Sequence, residues 1–231
     1  MKTIIEYALL LATSILMEGC AKSLSSPSNQ AHAMRITASE RLSLSEATVL
    51  VRQEIFRLTP TMNPSADFPL KELTTSEVWD RLHAQVFAVT SGARVCQAYV
   101  TQNRQVHPLG EGFGGSGVMS MCVADLNGPG QPGLVFSYSW GSGEHRSIVA
   151  IWTGGATWTD AKPALLEHDL WLERTDDQHI HVAYGKFSST HGFKREGEFG
   201  TLQLAGDTTS QHLEIVLDPH LPADVFERIM K

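Results

Sequence analysis

From about Phe87 to the C-terminus, apolar residues recur at every second position in one segment after another, with Gly, Pro, Asn or Asp at the boundaries. A period of two places alternate side chains on opposite faces of an extended chain, which suits strands with one apolar face. Turn residues between such segments join neighbours as antiparallel hairpins rather than parallel crossovers. VCQAYVTQNRQVHPL reads as a hairpin turning at Gln102-Asn103, and LWLERTDDQHIHVAYGKF as another turning at Asp176-Asp177. VMSMCVADL and LVFSYSW flank a loop, HRSIVAIW returns after Gly141-Ser142-Gly143, and EFGTLQLA pairs with HLEIVLD.

The chain before Phe87 has a different period. Ser43 and Glu46 form a capping box ahead of Ala47, Val51, Ile55 and Leu58 at helical spacing, and Pro60 ends that helix. Thr59 to Pro69, with its prolines, reads as an irregular link. Thr74 and Glu77 announce a second helix carrying Val78, Trp79, Leu82 and Val86. The expected fold class is therefore α+β, mainly antiparallel β: two N-terminal helices followed by roughly eight to ten strands in one domain. A short C-terminal helix is expected after Pro222.

Within LVFSYSW, Phe136, Tyr138 and Trp140 fall on one face and Val135 on the other. A turn pairing Tyr138 with Val149 would set this stripe against Val149 and Ile151 as core packing. The block from 110 to 147 is also the densest in motifs. Gly110-Glu111-Gly112-Phe113-Gly114-Gly115 fits G-x-G-x-x-G, but no helix pattern follows it, so the dinucleotide reading fails in context. The segment from Asp125 to Gly133 has calcium-loop spacing: Asp125 and Asn127 take the first and third positions, Gly130 the turn, and Gln131 offers a backbone carbonyl.

The order Phe113-Gly114-Gly115, apolar strand, Asp125-x-Asn127-Gly128, apolar strand resembles a single FG-GAP/VCBS-type repeat. The longer run through His145-Arg146-Ser147 is similar to a group of uncharacterised bacterial proteins carrying one such unit, and the resemblance implies no activity. Pro129 and Gly133 stand where that repeat has acidic ligands, leaving Asp125 as its one carboxylate. Calcium affinity follows ligand charge, so no cofactor is expected, and Asp125 should hold the turn through its own backbone. A single copy of the unit also argues against a propeller.

The first 20 residues bear on location. Lys2, an apolar run from Tyr7 to Met17, and Gly19-Cys20 form a signal-like segment too short to span a bilayer, resembling a bacterial lipoprotein cleavage site. Residues 1–19 read as a signal peptide, Cys20 as the lipidated residue, and 20–38 as a disordered tether rich in serine. The globular domain then spans 39–231, with the FG-GAP-like unit at 110–147. The expected partner is a membrane, through the lipid anchor. With 18 Lys+Arg against 25 Asp+Glu, a net charge of -7 and no basic run, nucleic-acid binding is disfavoured. Translation starting at Met34 would instead give a cytoplasmic protein.

In an oxidising compartment Cys96 and Cys122 are either bridged or two buried free thiols. His179 and His181 lie two apart on an expected strand, a spacing compatible with zinc, and His191 could join them by chain reversal. Glu144, His145 and Ser147 suggest a hydrolase, but adjacent strand residues point to opposite faces, so Glu144 and His145 make a poor relay. The leading expectation is a lipid-anchored envelope protein with a non-catalytic binding or structural role. The alternative is a metal-dependent or histidine-based hydrolase built on His145, His179 and His181.

Overall fold

A computed structural model describes residues 40–60, 69–89, 98–111, 116–126, 128–141, 145–188, 190–206 and 212–230. The N-terminal part carries α1 (Leu44–Leu58), β1 (Leu70–Glu72), α2 (Ser76–Leu82), β2 (Ala84–Val89), β3 (Ala98–Gln102) and β4 (Gln105–Leu109). Then follow β5 (Gly117–Ala124), β6 (Gly133–Trp140), β7 (Arg146–Trp152), β8 (Thr159–Asp160) and β9 (Ala164–Leu166). The last elements are β10 (Asp169–Arg174), β11 (Ile180–Ser188), β12 (Gly192–Ala205), β13 (His212–Leu217), α3 (Ala223–Phe226) and β14 (Ile229–Met230). The fold is α+β and mainly antiparallel β. Four strands beyond the expected range, β1, β8, β9 and β14, have only two or three residues each, too few for a period to show.

The strands form three sheets: β1-β2-β3-β4, then β14-β9-β7-β6-β5 with β8 paired to β7, then β10-β11-β12-β13. Burial orders them into layers. Val51 and Ile55 of α1 pack on Val89 and Tyr99 of the first sheet. That sheet's other face, through Val86 and Val100, shares a core with Phe136, Tyr138 and Trp152 of the second sheet and with Val78 of α2. The opposite face of the second sheet, through Val135 and Val149, packs on Leu170, Leu172 and Val182 of the third. Strand β6 is thus covered on both sides, and all but Trp140 of its residues are buried.

The α1 terminus is the expected one: Ser43 Oγ accepts from the Glu46 N–H at 3.3 Å, and the Ser43 N–H donates to Glu46 Oε2 at 2.9 Å. At α2 the cap is Thr75, not Thr74, and its Oγ1 accepts from the Val78 N–H at 3.2 Å. Thr74 is taken by β2, where its Oγ1 accepts from the Val86 N–H at 2.9 Å. Helix α2 therefore stops at His83, in the left-handed region, and Val86 lies in a strand. Among the described residues no helix is long and apolar enough to cross a membrane.

Two registers also differ from expectation. The β3–β4 turn centres on Asn103-Arg104, with φ of 51° and 62°. Two consecutive left-handed residues match a two-residue hairpin to the twist of its strands, and asparagine tolerates that region well. In the β6–β7 hairpin Tyr138 pairs with Ile148, so the aromatic stripe meets Ile148, Ala150 and Trp152. Val149 and Ile151 face the other layer, because a shift of one residue moves every side chain to the opposite face.

Ser137 and Ser139 on β6 and Ser147 on β7 are fully buried, which their sequence pattern does not explain. Strand β10 is the edge of the third sheet, and its outward N–H groups need acceptors. The Leu170 N–H donates to Ser147 Oγ at 2.9 Å and the Leu172 N–H to Ser120 Oγ at 3.0 Å. Ser120 Oγ is itself 2.6 Å from Ser137 Oγ. The serines of the second sheet thus act as the missing neighbour of β10.

Candidate binding groove

The calcium-type loop is held by arginine. Asp125 Oδ1 accepts from Arg81 Nη2 at 2.5 Å, and Oδ2 accepts from the Gly130 N–H at 2.8 Å. Arg81 also donates to Asp177 Oδ1 at 2.9 Å and Glu77 Oε1 at 3.3 Å, and the Asp125 N–H donates to the Asp177 carbonyl at 2.7 Å. Arg174 engages Glu77 and the Val123 carbonyl. Both oxygens of Asp125 are occupied by donors, so the loop is tied to α2 and to the β10–β11 turn by hydrogen bonds. Gln131 is exposed and its N–H donates to the Gly128 carbonyl at 3.1 Å, while Asn127 lies outside the described residues.

The histidines do not converge. His179 lies in the turn before β11, with Nδ1 2.8 Å from Asp176, and is largely exposed. His181 Nδ1 is 3.1 Å from Glu198 Oε1, a different partner on β12. His191 sits by Thr190 in the β11–β12 turn. Among the described residues no group of three or more His, Cys, Asp or Glu could hold a metal ion. His145 Nε2 is 2.5 Å from Asp169 Oδ1, while Asp169 Oδ2 accepts from the Phe187 N–H at 2.6 Å. Ser147 cannot complete a relay with them, since its hydroxyl is fully buried and accepts from Leu170. Glu144 lies outside the described residues, and Arg146 stacks over Trp140 at 5.0 Å.

Cys122 is a free thiol on β5, and Cys96 and Cys20 lie outside the described residues. Burial pushes the Cys122 thiol up to about 12. Since the thiolate is the nucleophile, native protein at pH 8 should leave Cys122 unalkylated by iodoacetamide, whereas urea-unfolded protein should be labelled rapidly. Peptide mapping checks this, and fast native labelling at Cys122 would contradict its half-buried placement against the core.

The feature with ligand-binding shape lies elsewhere, and its residues were not singled out from the sequence. Lys162 crosses the outer edge of β13: its N–H donates to the Leu213 carbonyl at 3.4 Å and its carbonyl accepts from the Ile215 N–H at 2.7 Å. Pro163 has no N–H to continue the ladder, and the chain leaves β13 to enter β9. On the far side β14 pairs with β9, after α3 has buried Val225 in the core and left Phe226 58% exposed.

The space between is a groove of about 620 Å³ walled by Pro163, Ile215, Val216, Leu217, Phe226 and Ile229. Lys162, His212 and Glu214 supply its polar groups. That volume lies within the range of small-molecule sites, about 300–1,000 Å³, and apolar walls with a few polar groups are their usual make-up. One sign was legible: along HLEIVL the outward positions are His212, Glu214 and then Val216, an apolar residue that is 46% exposed. No protein-family model matches the chain, and neither a curated protein nor a solved structure matches it.

Proposed function

We propose that the protein is a bacterial envelope lipoprotein, acylated at Cys20, whose folded part is a non-catalytic binding domain for a small apolar ligand. The groove between β13, α3 and β14 is the observation that carries the binding role. Val216 and Phe226 are large apolar side chains left in water, at 46% and 58% exposure, and both face the same groove. A ligand there would withdraw them from water at about 25 cal/mol per Å² of apolar surface covered. The envelope location rests on the apolar run from Tyr7 to Met17 and on Gly19-Cys20, and the FG-GAP-type likeness of 110–147 is in keeping with a surface protein.

The binding role predicts saturable, one-to-one fluorescence enhancement of 1-N-phenylnaphthylamine by the full chain. Phe226→Asp and Val216→Asp should abolish it while circular dichroism stays unchanged, because both side chains stand outside the core. Enhancement that persists in both variants would overturn the groove as the site. For the location, intact mass of protein purified from its native cells should show a chain beginning at Cys20 with added acyl mass. A chain beginning at Met34 would move the protein to the cytoplasm.

A further inference from the structure

We draw no further inference here: the strongest candidate, the groove between β13, α3 and β14 with Lys162 and Glu214 among its polar groups, belongs to the site already described, and nothing in the structure shows which ligand chemistry occupies it.

Discussion

Replacing Phe136 with alanine is expected to lower the unfolding free energy by about 3–5 kcal/mol, the cost of deleting a large aromatic side chain where the surroundings cannot collapse. Phe136 is fully buried on β6, which has β5 on one side and β7 on the other. Across the strands it pairs with Met121 and Ala150, and its ring lies 5.8 Å from that of Tyr138. Backbone hydrogen bonds to both neighbouring strands hold those walls in place, so the cavity stays open. Phe226→Ala is the matched control. With 58% of that residue exposed, the change should cost under about 0.5 kcal/mol, and its effect should fall on ligand binding instead. Urea unfolding of the two variants makes the comparison. A loss under about 1 kcal/mol for Phe136→Ala would mean that the middle layer is not close-packed as described.

Asp169→Ala is expected to destabilise the protein by about 2–3 kcal/mol, because it strands two groups at once. Asp169 is 5% exposed at the start of β10. One oxygen meets His145 Nε2, ahead of β7, and the other accepts from the Phe187 N–H on β11, so the carboxylate ties the second sheet to the third. Removing it leaves a backbone N–H without its acceptor and releases His145 from its tether. Asp169→Asn keeps an oxygen for one of the two contacts and should lose about half as much. Binding of 1-N-phenylnaphthylamine by the folded Asp169→Asn protein should match that of the parent chain, since the groove lies at β13 and α3. A Tm unchanged by Asp169→Ala would contradict the tie. A hydrolytic activity lost on His145→Ala would restore the enzyme reading.

Several elements were legible because their causes are local. The Ser43–Glu46 box is a contact over one turn of helix, and the Ala47, Val51 and Ile55 stripe needs only the 3.6-residue period to be seen. The strands of β6, β7 and β11 announce themselves by alternation, and the β10–β11 turn falls on Asp176 and Asp177 as read. The held turn at Asp125 was legible for the same reason, since its acceptor reaches Gly130 five residues on. Its partner Arg81 was not, because it arrives from a helix 44 residues away in the chain.

The misplaced details turn on single residues. Thr74 and Thr75 are equivalent as caps by composition, and β2 decides between them by bonding Thr74. Asn103 in a run of polar residues marks a turn but not its centre. The pairing of Tyr138 with Ile148 depends on how many residues the β6–β7 connection uses, which alternation cannot count. The groove was the largest omission. Lys162 is distant in sequence from Val216 and Phe226, and only Val216, apolar at an outward position of β13, hints at the groove.

By itself, then, the sequence determined the class of the fold, the helix N-termini to within a residue and most hairpins, since each depends on neighbours along the chain. Tertiary structure alone decided the order of the layers, the serines that serve the β10 edge and the groove at β13. Those arise where segments far apart in the chain are brought together, and the free energy that selects them is the burial of shared surface and the pairing of buried polar groups, neither of which has a period.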